Sequence, residues 1–212
     1  MNEKLNAINS CLAGSGLAPV ASVDDPDLDA GMASQTIDRV TREMLGAGMW
    51  FNREPNWKLA PEEFTGVVNL PSSAMAIEPE GVDRLKKFVI RSRKVYDMDR
   101  HTYDLRDSSS DGFIYLTIIQ DLPFEDLPTI VIDAITAKAR RLFAQDSEVD
   151  QARWNFQIRD EQEAMEKVYI HDARTKKGNY LRDNQSAKAH INRIGGWNSV
   201  SGLKSLPGKR YN

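Results

Sequence analysis

Two stretches of helical apolar period bracket a long middle stretch that has none. That arrangement constrains the fold more than any composition figure. Residues 3–13 place Leu5, Ile8 and Leu12 on one helical face, and Gly14, Gly16 and Pro19 stop it. Asp25-Pro26 reads as the N-cap and first position of a second helix, whose stripe is Ala33, Ile37, Val40 and Met44. Gly46 and Gly48 end it. From Met49 to about Asp121 the chain turns to short apolar or alternating runs separated by Pro, Gly, Asn and Ser. Candidate strands are 49–53, 56–60, 66–70, 87–91, 93–97, 101–105 and 112–119, enriched in β-branched and aromatic residues. Helical period returns near Asp126. Leu127, Ile130, Val131, Ala134, Ile135, Leu142 and Phe143 form a wide face, with Pro128 in the first turn. Ser147 reads as the cap of a charged fourth helix over about 148–172, with a narrow seam of Val149, Ala152, Phe156, Met165, Val168 and Tyr169.

The order helices, strands, helices predicts an α+β protein. It is a bundle of about four helices (residues 1–48 and 122–175) with a small antiparallel β-domain (49–121) inserted between helices two and three. Residues 176–212 are expected to form an extended basic C-terminal arm. From Arg174 onward the chain holds nine Lys and Arg against one acid, Asp183, a net +8. The whole chain is −3, so residues 1–173 carry −11. The arm shows no apolar period yet carries Tyr180, Leu181, Trp197, Leu203 and Tyr211. Such side chains offset the entropy of ordering when they are buried on a neighbouring subunit or partner. Lys176, Lys177, Arg182, Lys209 and Arg210 would steer that contact. The arm could also meet nucleic acid, but an acidic body is the wrong sign for a whole-protein DNA binder.

Little in the chain points to chemistry. No apolar run approaches the ~20 residues of a membrane span, and the N-terminus has no signal-peptide core. A single Cys, Cys11, sits on the apolar face of the first helix and excludes an internal disulfide. Asp97, Asp99 and His101 alternate, and on a strand they would share one face. They are the weak candidate for a divalent metal, beside the simpler reading of a solvated strand. Asp24, Asp25, Asp27 and Asp29 lack the Gly and distal Glu of a calcium loop and suit a helix N-terminus instead. Gly208-Lys209 lacks the preceding phosphate-loop pattern. No nucleophile motif appears and no cofactor is implied. A tail-associated glycan hydrolase stays open only because carboxylates are abundant.

Several segments carry a resemblance. GAGMWFN (46–52), LAPEEFTGVVNLP (59–71), VYD (95–97) and DLPFEDLPTIVIDAITAKARRLF (121–143) are similar to tail tubular protein A, the head-to-tail adaptor and gatekeeper family of short-tailed phages. The order and spacing run from about residue 5 to 175. The resemblance implies a virion protein of a helical domain with an inserted β-domain, and a dodecameric ring. It also implies a portal protein above, a tubular nozzle protein below, double-stranded DNA passing through the centre, and no enzymatic activity. Within the shared motifs, Trp50 and Phe51 read as core at the joint between the two regions, and Phe124 and Leu127 as anchors at the entry of the third helix.

Overall fold

The computed structural model describes residues 2–108, 111–145 and 151–183. It falls into two compact units, Met1–Ile170 and His171–Asn212. The elements are α1 (Glu3–Gly14), α2 (Leu28–Gly46), β1 (Arg53–Leu59), β2 (Ala74–Pro79), β3 (Phe88–Arg91), β4 (Lys94–Asp97), β5 (Ile114–Gln120), α3 (Thr129–Gln145) and α4 (Gln151–Asp183). The fold class is α+β with small antiparallel sheets, as expected from the pattern of periods.

In the first unit, buried side chains gather in two clusters. One is helical. Most of the expected stripes go inward: Ile8 and Leu12 from α1, Ala33, Ile37, Val40 and Met44 from α2, and Val131, Ala134, Ile135 and Phe143 from α3, while Leu5 of α1 stays half-buried outside the cluster. Each of the inward residues is 5% exposed or less. Burying such residues contributes roughly 1.5–3 kcal/mol per large side chain, which makes this cluster the main source of the bundle's stability. Cys11 lies within it, fully buried. Burial pushes its thiol up to about 12, against a smaller opposing pull from the Arg140 guanidinium. At about pH 8 only on the order of 10⁻⁴ of it is thiolate, and it is out of reach. A disulfide reagent is therefore expected to leave native protein unlabelled and to titrate one thiol in guanidinium chloride. Rapid labelling of the folded protein would contradict the packing of α1.

Three helix boundaries differ from the expectation, each for a local reason. The N-cap of α2 is Asp27, which accepts from the Ala30 amide at 2.9 Å. Asp25 instead accepts from the Asp27 amide, so Pro26 lies in the approach to the helix rather than in its first turn. Before α3, Phe124–Asp126 forms a short 3-10 turn. Pro128 precedes the helix, and its carbonyl takes the Val131 and Ile132 amides. The fourth helix continues past the expected stop at 172 to Asp183. Gly178 is its one glycine, and a glycine costs a helix only ~1 kcal/mol. Ser147 and Val149 lie outside the described residues.

The seam of α4 holds only in part. Val168 is buried and Met165 packs against the helical cluster, but Phe156 is 65% exposed and Tyr169 55%, and Gln157 is buried in their stead. Polar partners set this orientation. Gln157 Nε2 donates to the Gly14 carbonyl at 3.0 Å, and Arg140 and Arg141 of α3 pair with Asp160 and Glu161. Gly14 lets Arg140 lie across the end of α1, because a Cβ there would come within 2.6 Å of Arg140 Cγ.

The second cluster comprises Val68, Leu70, Phe88, Val95, Leu105, Ile114, Leu116 and Ile118. Here β5 is the central strand of a three-stranded antiparallel sheet of order β1-β5-β2, and β3 and β4 form a separate hairpin. Both faces of β5 are covered, which is why it reads as a nearly continuous apolar run. The edges are irregular. A bulge between Glu54 and Trp57, with Asn56 at φ 64°, and another between Ala74 and Ala76 interrupt the ladders. Bulged edges resist pairing with a second sheet. Arg53 of β1 and Glu78 of β2 meet over β5 through two hydrogen bonds of 2.8 and 2.5 Å.

Three expected strands are not strands. Residues 49–52 turn, with Gly48 at φ 61°, and only Arg53 of that segment is strand, as the first residue of β1. The 66–70 segment makes one isolated bridge, Asn69 to Lys94, and 101–105 makes one, Thr102 to Asp97. Their apolar residues are still core: Val68, Leu70 and Leu105 plug the sheet cluster from irregular backbone. Conversely β2 was not expected. Its sequence AMAIEP has one β-branched residue and ends in Pro79, which an edge strand accepts.

Candidate interaction surfaces

The joint between helices and strands is held by one residue the sequence reading passed over. Asn52 is 1% exposed. Its Nδ2 donates to the Leu45 carbonyl at 2.8 Å and to the Gln120 carbonyl at 2.9 Å, and its Oδ1 accepts from the Met49 amide at 3.1 Å. One amide thus ties the end of α2, the following turn and the end of β5. Trp50 and Phe51 flank it edge-to-face, ring centroids 5.2 Å apart, and pack against the helical cluster. Phe124 and Leu127 are 6% and 5% exposed in the same cluster. The signal for Asn52 was its place in GAGMWFN: a polar amide closing an aromatic run just before a strand.

The metal candidate dissolves on the backbone. β4 ends at Asp97, so the alternation that would align Asp99 and His101 stops there. Asp97 instead folds the turn beneath it. Its Oδ1 accepts from the Asp99 amide at 2.9 Å and the Arg100 amide at 3.0 Å, and its Oδ2 from Ser108 Oγ at 2.9 Å. Burial raises its carboxyl. The hydrogen bonds from Arg100, Ser108 and Asp99, with the Arg100 charge, outweigh this and hold it below the usual carboxylate value. Asp99 pairs with Lys87 at 3.2 Å, and His101 is exposed at φ 54°. Among the described residues no three His, Cys, Asp or Glu side chains are grouped to hold a metal.

The loops of the β-region are cross-braced by charge. Asp83, fully buried, takes the Tyr115 amide at 2.9 Å after Pro79 ends β2, and pairs with Lys86 at 2.6 Å. Lys86 also donates to the Ser108 carbonyl, and Arg100 reaches Asp107 at 3.1 Å. Arg106 pairs with Asp104 at 2.5 Å and pulls its carboxyl down to about 2. The same guanidinium donates to the Glu63 and Phe64 carbonyls. These braces leave Phe64 at 89%, Leu85 at 87% and Val82 at 68% exposure on loops whose backbone is fixed. Large apolar side chains held out on braced loops suit contact with another protein.

Of the expected arm contacts, Lys176, Lys177, Tyr180, Leu181 and Arg182 stand on the last turns of α4 rather than on an extended segment. Trp197, Leu203, Lys209, Arg210 and Tyr211 lie outside the described residues. No helix among the described residues is long and apolar enough to cross a membrane.

Comparison with known proteins adds an independent line. A family model described as "Tube: Tail tubular protein" matches residues 5–180, which takes in all nine elements nearly to the end of α4. The chain is similar to the tail tubular protein A of Klebsiella phage KP34, 31% identical over 131 residues, covering 59% of this chain and 63% of the relative. The matched part thus spans less than two thirds of that relative's length.

Proposed function

The chain belongs to the tail tubular protein family, and from that premise we propose that it is a structural, non-enzymatic virion protein of a phage tail. In this reading it is the adaptor ring between the portal and the tubular nozzle, a homo-oligomer, dodecameric by the family resemblance, with double-stranded DNA passing through its centre. The helical region (1–48 and 122–175) packs laterally against copies of itself and lies under the portal. The β-region (49–121) turns its braced loops, with Phe64, Val82 and Leu85, toward the nozzle. Residues 176–212 fasten the ring to the portal or the neighbouring subunit. A head-to-tail contact of this kind closes into a ring when the rotation permits. The observation that carries the reading is the family match over both clusters together, rather than over one fragment.

The test is reconstitution. Full-length protein is expected to form closed rings and to capture purified portal and purified nozzle protein in one complex. Truncation after Asp183, and separately after Thr175, is expected to weaken portal capture by at least tenfold while leaving nozzle capture intact. A full-length chain that captures neither partner overturns the adaptor reading. Unchanged portal capture by both truncations overturns the role of the arm.

A further inference from the structure

The stretch from Arg84 to Tyr96 holds Arg84, Lys86, Lys87, Arg91, Arg93 and Lys94 and no acid, within a 173-residue body that carries −11. Two of the six are neutralised locally: Lys86 by Asp83 and Lys87 by Asp99. Arg84, Arg91, Arg93 and Lys94 have no ion-pair partner among the described residues. The last three fall within four consecutive exposed residues, Arg91-Ser92-Arg93-Lys94, the tip of the β3–β4 hairpin.

The tip is rigid. Arg91 lies with its guanidinium 3.9 Å from the Tyr96 ring centroid, and Tyr96 meets Tyr103 edge-on at 4.9 Å. On the other side the Arg93 carbonyl accepts from the Leu70 amide at 2.9 Å, and Val95 donates to Val68 at 3.0 Å. The turn residues Ser92 and Arg93 have φ of 50° and 60°. A two-residue hairpin turn with both φ positive favours Asn-Gly. Ser and Arg hold it with backbone strain. Local turn chemistry therefore does not account for an arginine there, and three unpaired cations so close together repel one another. A polyanion relieves both their repulsion and their lack of partners.

We propose that this hairpin tip is a contact for the phosphate backbone of double-stranded DNA. A duplex presents one negative charge per ~1.7 Å of its axis, dense enough to meet three cations spaced within a single turn. Guanidinium edges left free by a stacked ring face suit phosphate oxygens. The choice of DNA as the polyanion rests on the adaptor reading; the existence of the cationic tip does not. Three contacts per subunit give weak, salt-sensitive binding, a grip on the passing duplex that the acidic remainder of the body does not share.

The experiment uses full-length protein and a fluorescent duplex, with affinity measured between about 50 and 200 mM salt. Arg93→Ser with Lys94→Ser is expected to flatten the log–log salt dependence by about 1.8. Ser92→Asn with Arg93→Gly is the sharper variant. It is expected to raise the melting temperature, since the turn now suits its residues, and still to flatten the slope by about 0.9. A hairpin with only a structural role would not weaken on being stabilised. A photo-cross-linker at position 92 is expected to label the duplex, which separates the tip from the basic C-terminal residues. Unchanged slopes, or no cross-link from position 92, overturn the proposal. Equal displacement of the duplex by polyglutamate also overturns it, because the tip would then be reading an acidic protein. Capture of portal by the Arg93→Ser, Lys94→Ser variant is expected to be normal. If the wild-type chain captures no portal yet labels DNA from position 92, the adaptor reading falls and the DNA contact stands.

Discussion

Asn52→Ala is expected to destabilise the protein by about 3 kcal/mol, more than any surface charge change. The side chain makes three hydrogen bonds at the joint, two donated to carbonyls and one accepted from an amide. Each is worth a net ~1 kcal/mol, and losing the shared partner leaves the Leu45 and Gln120 carbonyls and the Met49 amide without it. The joint is closely packed around them. Gly48, at φ 61°, brings its backbone so near Ile119 that a Cβ would lie 2.5 Å from Ile119 Cδ1, so little water can enter to replace the lost bonds. Equilibrium urea unfolding followed by Trp fluorescence and by circular dichroism measures the loss. Asn52→Asp separates shape from hydrogen bonding. The carboxylate keeps the acceptor for Met49 but faces two carbonyl oxygens with no donor. It is expected to cost at least as much as Ala at neutral pH and to recover in acid, where a protonated carboxyl can donate to one of them. The sign follows from linkage: an acid that binds its proton more tightly when folded gains stability as pH falls. A cost below about 1 kcal/mol for Asn52→Ala would show that the joint rests on Trp50 and Phe51 packing alone.

The helical cluster was legible because burial on one face writes a 3.6-residue period, and Ala33, Ile37, Val40 and Met44 obey it. α4 was misread because its inward face is partly polar. Gln157, Asp160 and Glu161 point toward partners on α1 and α3, so apolar counting found Val168 and Met165 but also put Phe156 and Tyr169 inside. In the β-region, alternation identified buried residues better than it identified strands. Val68, Leu70 and Leu105 are core, yet the positive φ of Gly66 and His101 and the turn built by Asp97 break up the segments around them. β2 was missed because an edge strand covered on one side needs few β-branched residues. The interaction surfaces were the least legible. Asn52 is a single letter in a motif, and of the acid-free run from 84 to 96 only the hairpin shows which cations, Arg91, Arg93 and Lys94, share one exposed tip.

The second large effect is expected at Asp97, where the sequence suggested a metal and the fold uses a carboxylate as a staple. Asp97→Asn keeps the volume but replaces the oxygen that accepts from Ser108 Oγ by an NH₂ group, so that hydroxyl must turn from donor to acceptor. The remaining oxygen still takes the Asp99 and Arg100 amides, but without the charge. Hydrogen bonds to a buried charge are worth ~1.5–3 kcal/mol, so a loss of about 3 kcal/mol is expected at neutral pH. The pH dependence identifies the cause. Asp97 titrates below the ordinary carboxyl value when folded, so its contribution is complete above the unfolded value of ~3.9. It is lost as pH falls through the lowered folded value. Wild type and Asp97→Asn are therefore expected to differ most at neutral pH and to converge in acid, in parallel urea titrations. Ser108→Ala removes one donor and is expected to cost only about 1 kcal/mol. A difference between wild type and Asp97→Asn that stays constant from neutral to acid pH would mean that shape, not charge, holds the turn. Because Asp97 closes β4 three residues from Lys94, the same substitution is also expected to loosen the basic hairpin. Its amides at residues 91–94 should then exchange hydrogen faster than those of β5, whose backbone is paired on both sides.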